Sequence, residues 1–207
     1  MAKPSRDMLT TGLVGSYLLA SAWGIMLLGS IVVLFGGFKS LDASLGVTFA
    51  GFAVVAGILW LGGAICEAIG WVGLGRLYPG LPPWIGWLEG SLPVLTLLIF
   101  AVLVAMLDFS EGAAHFMVLL QITHFLLAFL WMVTHGPRGL TAPAAIGYGL
   151  ALAGGVTLYA LALTGTDIEI FGLVLLIALL SGGTIGHLAT GLFFSKTRVI
   201  ADSVNTF

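Results

Sequence analysis

Six long apolar segments make up nearly the whole chain, and only short breaks separate them. Charged residues are 8% of the 207 residues, whereas soluble domains carry about 25%. So few charges cannot cover a surface exposed to water, so a lipid bilayer must be the main solvent. The pattern therefore predicts an all-α integral membrane protein with a six-transmembrane helical bundle.

The predicted spans are each close to, or longer than, the roughly 20 residues that a helix needs to cross the hydrocarbon layer. Turn-forming Gly and Pro residues or charges mark the breaks between them. We expect one membrane domain, residues 1–207, in which neighbouring spans pair as three hairpins. The spans are expected at about 11–38, 45–74, 84–107, 113–134, 143–164 and 169–194.

The charges of the breaks alternate along the chain. Six of the seven basic residues fall on one side of the predicted spans, and the acidic breaks fall on the other. Because Lys and Arg in short loops remain in the cytoplasm, both termini are expected to be cytoplasmic in a multi-pass protein of the plasma membrane. Four aromatic residues near the inner boundary fit interfacial anchors: Trp71, Tyr78, Trp84 and Trp87. The net charge of −2 offers no basic surface for nucleic acid.

Ionisable residues inside the spans are the main candidates for function, because each costs about 3 kcal/mol or more at the bilayer centre. From the helical rise, Glu67, Glu89 and His187 are expected to share a layer in the inner half of the membrane. Arg76 and His135 are expected just beneath that layer. The alternative is that both glutamates reach water or pair with Arg76.

The local sequence favours a polar pocket in that layer. Pro93 cannot donate to the carbonyl of Glu89, so a kink and a free carbonyl are expected beside this carboxylate. Glu67 and His187 lie on Gly-lined helix faces that another helix or a ligand can approach. We therefore expect a small transporter or permease whose pocket binds a solute or protons, with Pro93 as its hinge.

The histidines suggest a second class of function. His124 lies near mid-membrane and shares a stripe with His135, and an imidazole there can relay protons or ligate haem iron, a pigment or a metal such as copper. By the helical rise, His187 lies roughly 10 Å deeper than His124, so a bis-histidine haem site is not expected. One alternative is a redox or enzyme subunit that binds haem, a pigment or a quinone, with His124 and His187 as the candidate metal ligands. Another is a structural subunit of a larger membrane complex.

The chain also carries a faint internal repeat. The segment 62–67 (GGAICE) matches 182–187 (GGTIGH), and 17–24 resembles 148–155. A parallel repeat of helical hairpins would follow. The 30 glycines let helices approach closely, which favours tight packing and homo-oligomer formation. The single cysteine, Cys66, excludes an internal disulfide.

Overall fold

A computed structural model of the chain contains six α-helices and, among the residues it describes, no β-strand. The helices are α1 (Lys3–Gly36), α2 (Ala43–Leu77), α3 (Pro83–Met106), α4 (Glu111–His135), α5 (Arg138–Thr164) and α6 (Glu169–Val204). The structure describes the backbone of these helices and of Gly165. It describes the side chains of 6–32, 51–76, 87–96, 98–99, 102, 115–134, 139–165 and 172–199.

Within the described residues, five helices contain a stretch that is long and apolar enough to cross a membrane, which identifies a multi-pass integral membrane protein. In lipid, the backbone has no water to bond, so the helix is the conformation in which each spanning segment satisfies its own polar groups. The stretches are Arg6–Val32, Gly51–Arg76, His115–Thr134, Gly139–Thr164 and Gly172–Val199.

The outer surface of α2 illustrates the membrane setting. Val54, Ile58, Leu61, Ile65 and Ile69 form an exposed stripe along this helix. Their spacing of three or four residues places them on one helix face. Apolar residues therefore face the lipid, and the acidic residue of α2 is left to the interior.

The six helices are arranged as a closed ring. Each helix packs on the next one in the chain, and α6 also packs on α1. The most extensive contacts join α1 to α2 and α5 to α6. The ring has an aromatic interior, which includes Trp71, Phe125, Trp131, Tyr148 and Phe194. Polar groups from four different helices can therefore meet inside one ring.

Glycines set the spacing within both tight hairpins, and they do so in the same way. A Cβ atom built on Gly63 of α2 would lie 3.0 Å from the carbonyl oxygen of Gly15 and 2.9 Å from the amide nitrogen of Leu19. A Cβ atom on Gly182 of α6 would meet the carbonyl oxygen of Gly147, at 2.6 Å, and the amide nitrogen of Ala151. The two hairpins thus cross at equivalent atoms, which supports a structural repeat.

The helix bounds differ from the predicted spans mainly at the ends. Helix α1 begins at Lys3, eight residues before the predicted span, and α6 runs to Val204, ten residues beyond it. Both extensions carry charged residues. The hydropathy pattern detects only the apolar part of a helix, so it misses helical turns that continue beyond that part. Helix α5 ends at Thr164, where Gly165 adopts a left-handed conformation (φ 63°) that favours glycine.

Candidate functional site

Four ionisable side chains meet inside the ring of helices. Glu67 comes from α2, Glu89 from α3, His124 from α4 and His187 from α6, and each residue is 1% exposed. Carboxylates and imidazoles are rarely buried so completely without partners. The pairing of these four groups therefore defines the site, which we call the Glu/His cluster.

The cluster consists of two carboxylate–imidazole pairs. Nδ1 of His187 lies 3.0 Å from Oε2 of Glu67, and Nδ1 of His124 lies 3.0 Å from Oε1 of Glu89. Both distances are those of ion pairs, although the ring N–H bonds are not aligned with the carboxylates as a hydrogen bond requires. Each acid thus has one base at contact distance, so the cluster can be electrically neutral with one proton per pair.

The two pairs touch through their imidazole rings. The ring centroids of His124 and His187 are 5.7 Å apart, and the planes are inclined by 19°, so the rings are stacked. The pair Glu89–His124 joins α3 to α4, whereas Glu67–His187 joins α2 to α6 across the ring. The stacked imidazoles therefore connect two ion pairs that come from four helices.

Neighbouring side chains fix the orientation of the cluster. The indole Nε1 of Trp71, one helical turn from Glu67, donates a hydrogen bond of 3.2 Å to Oε1 of this carboxylate. The ring of Tyr148 packs edge-on against His187, and its hydroxyl lies 2.6 Å from the Thr190 hydroxyl. Phe125 contacts both imidazoles. Except for the indole N–H and the two hydroxyls, this shell is apolar, and it leaves each residue of the cluster only 1% exposed.

Some polar atoms of the cluster have no hydrogen-bond partner among the described residues. They include Nε2 of His124 and Oε2 of Glu89, and both atoms are buried. A buried polar atom without a partner costs about 1–3 kcal/mol. A proton or a small polar ligand that binds at these atoms would therefore gain the most hydrogen-bond energy.

A cavity of about 400 Å³ lies next to the cluster, between α1, α2, α3 and α4. Its walls are mainly alanine, glycine, methionine and valine, and its polar groups belong to Trp23, Trp60, Thr96 and Gln121. No charged side chain lines it in the described part of the chain. Gln121 is one turn from His124 along α4, so the cavity is close to the cluster.

Two aromatic rings link this cavity to the cluster. Trp23 lines the cavity and lies 5.5 Å from the ring of Phe125, centroid to centroid. The ring of Phe125 lies 5.6 Å from that of His124. Consecutive side-chain contacts therefore join the cavity to an imidazole of the cluster.

The structure brings together four of the six candidate residues. Arg76 is exposed at the end of α2 and contacts the sulfur of Met8 at 3.7 Å, outside the cluster. The side chain of His135 lies outside the described residues. Pro93 lies within α3, one turn after Glu89, so the carbonyl of Glu89 has no helical N–H donor from that position.

The expected depth of His187 is wrong. The sequence placed it roughly 10 Å deeper than His124, but the two rings stack at 5.7 Å. That expectation measured depth from a helix end at 194, whereas α6 continues to Val204. The alternative in which Glu67 and Glu89 reach water is wrong as well, because both are buried.

The shell around the cluster was not predicted from the sequence. Trp71 was expected at the membrane interface, but it is 1% exposed and donates to Glu67. Its position four residues after Glu67, on the same helix face, is the signal that points to this bond. Tyr148 and Thr190 are distant in sequence, and no local pattern predicts their contact.

The predicted depth difference was the argument against a bis-histidine haem site, and the distance of 5.7 Å between the two rings removes that argument. No group of three or more His, Cys, Asp or Glu side chains within the described ranges has a geometry that can hold a metal ion. Comparison of the chain with protein-family models, curated proteins and solved structures finds no match.

Proposed function

We propose that this protein is a small proton-coupled membrane transporter in which the Glu/His cluster binds and passes the protons. The observation that carries the proposal is the pairing of Glu67 with His187 and of Glu89 with His124 inside the ring of helices. Ionisable residues at this depth are costly and commonly mark ion pathways and proton relays.

The chemistry of the cluster suits proton transfer. The carboxylate oxygen and Nδ1 of each pair are 3.0 Å apart, so a proton can pass between them once the ring turns to align its N–H with the carboxylate. This transfer leaves the net charge of the pair unchanged, so it avoids the cost of a net charge in a medium of low dielectric constant. The two stacked imidazoles place the pairs next to each other, so a proton that enters one pair changes the field at the other.

The cavity beside the cluster supports a small uncharged solute as the coupled substrate. Its lining offers apolar walls and a few hydrogen-bonding groups but no charged side chain among the described residues. A charged solute would lose its hydration there without compensation. Movement of Trp23 and Phe125 would connect the solute to the cluster, and the missing backbone donor at Pro93 would allow α3 to bend next to Glu89.

We propose that the protein lies in the plasma membrane with both termini in the cytoplasm. The support is the distribution of basic residues, six of which fall at one end of the helices. In this orientation, the carboxylates would release their protons toward the cytoplasm.

Proteoliposomes test the proposal. Vesicles loaded with the pH-sensitive dye pyranine receive an alkaline interior, and valinomycin with potassium fixes the membrane potential. The wild-type protein should admit protons faster than empty vesicles, either alone or with a panel of small amides, alcohols and aromatic compounds. The variants Glu67→Gln and Glu89→Gln should fall to the rate of empty vesicles.

Asp7→Asn provides the matched control, because it also removes a carboxylate, but an exposed one at the start of α1. This variant should keep the wild-type rate. Size-exclusion chromatography shows whether each variant is folded and monodisperse. Proton entry that is equal in the wild type and both glutamine variants, or absent from the wild type under every condition, would overturn the proposal.

A further inference from the structure

A second cavity lies on the lipid-facing side of the molecule, between α2 and α3. This groove measures about 310 Å³, and Arg76 stands at one end of it. Its floor is formed where Gly90 approaches Ala68 so closely that a Cβ on the glycine would lie 2.9 Å from the Ala68 backbone. The groove is separate from the Glu/His cluster, which faces the interior of the ring.

The groove has an apolar part and a cationic end. Ile69, Val72 and Val94 line the apolar part. Arg76 and Trp87 are both exposed. Arg76 lies in the last turn of α2, where the sequence has a break between two apolar segments. The cation therefore lies at the boundary of the membrane, and the apolar part extends about 10 Å from it into the hydrocarbon layer, by the rise of seven residues back to Ile69.

The guanidinium of Arg76 is available for an anion. Its contact within the described residues is the thioether sulfur of Met8, at 3.7 Å, which is a weak and neutral acceptor. None of the described carboxylates forms an ion pair with it. Because a guanidinium has five N–H donors in a planar fork, most of them remain free to bind the oxygens of a phosphate.

We propose that this groove binds an anionic phospholipid, with one acyl chain in the apolar part and the phosphate at Arg76. The bilayer supplies acyl chains to this face, and the cation selects lipids of net negative charge. Basic residues beside grooves between spanning helices bind acidic head groups. The indole of Trp87 lies at the level where interfacial aromatic side chains contact head groups and glycerol.

Native mass spectrometry of the intact protein tests the proposal. The protein is released from nanodiscs that contain equal amounts of phosphatidylglycerol and phosphatidylcholine, and the lipids that it retains are counted. The wild type should retain phosphatidylglycerol in preference. Arg76→Gln should lower the ratio of phosphatidylglycerol to phosphatidylcholine about fivefold, the effect expected for one basic residue at the membrane surface.

Two further variants separate the groove from general surface charge. Lys196→Gln also removes an exposed basic residue, but one that does not line the groove, so its lipid ratio should match that of the wild type. Val94→Phe should lower total retention without any change of charge, because it fills the apolar part. Inorganic phosphate at millimolar concentration should not displace the lipid.

The results distinguish a bound phospholipid from a bound free phosphate. Equal retention of the two lipids by the wild type, or an unchanged ratio in Arg76→Gln, overturns the proposal. Displacement by inorganic phosphate alone would identify a site for free phosphate and would also overturn it. The measurement does not involve proton movement, so its result is independent of the proposed transport function.

Discussion

The pairing in the Glu/His cluster can be tested by removing one partner at a time. In the Glu67–His187 pair, the atoms Oε2 and Nδ1 are 3.0 Å apart and both residues are 1% exposed, so water cannot replace a lost partner. Removal of one member of a buried ion pair costs about 3–5 kcal/mol, because the other stays buried and unpaired. We expect this loss for Glu67→Met and for His187→Phe, which keep the approximate side-chain volumes.

The double variant distinguishes pairing from packing. When both partners are replaced by apolar groups of similar volume, no charge is left without a partner, although the indole N–H of Trp71 loses its acceptor. The double variant should therefore lose no more than about 3 kcal/mol of the free energy of unfolding. The two single losses would sum to about 6–10 kcal/mol. A coupling energy of at least about 3 kcal/mol is therefore expected.

Unfolding in mixed micelles with increasing dodecyl sulfate, followed by circular dichroism, measures these free energies. Glu67→Met combined with His124→Phe is the mismatched control, since it breaks both pairs and leaves His187 and Glu89 behind. This control should be at least as unstable as either single variant. A matched double variant whose loss equals the sum of the single losses would refute the pairing.

The same unfolding assay checks two further contacts. Tyr148→Phe removes the hydroxyl that lies 2.6 Å from Thr190 and should cost about 1 kcal/mol; an unchanged free energy would show that this bond contributes nothing. Gly63→Ala should cost about 1–3 kcal/mol, because its Cβ would lie 2.9 Å from the backbone nitrogen of Leu19. Gly62→Ala is its control, since the nearest atom outside its own helix would be a methyl group at 3.8 Å, and it should be neutral or slightly stabilising. Equal losses at the two adjacent glycines would contradict the crossing of α1 and α2.

The sequence predicted the helices well because hydropathy and turn residues act locally. All six predicted segments coincide with helices, and the described parts of five of them are apolar stretches of membrane-spanning length. The depth of His187 could not be predicted as well, because it depends on where α6 ends. The hydropathy pattern marks the edge of the apolar zone, but helix α6 continues through Lys196 and Arg198 to Val204.

Lateral contacts could not be predicted from periodicity. In α2, apolar residues surround the helix almost evenly, so the sequence does not mark an inward face by hydrophobicity. Glu67 itself is the better marker, because a carboxylate is far less costly inside the ring than against lipid. His124 and Glu89 mark the inward faces of their helices in the same way. Which acid pairs with which base, however, depends on the order of the helices around the ring. That order is set by packing at glycines such as Gly63 and Gly90.

The repeat explains why one of the ion pairs crosses the ring. The sequence match aligns Glu67 with His187, whereas the glycine contacts align Gly63 with Gly182, which shifts the match by one residue. One position per hairpin near this crossing therefore carries an ionisable group that faces the interior, an acid in the first hairpin and a base in the second. If both hairpins carried an acid, two carboxylates would meet in a medium of low dielectric constant. If both carried a base, two imidazoles would meet there without a carboxylate. An acid in one hairpin and a base in the other allow two similar hairpins to bury their polar groups against each other. The central hairpin, α3–α4, meets that condition internally through Glu89 and His124.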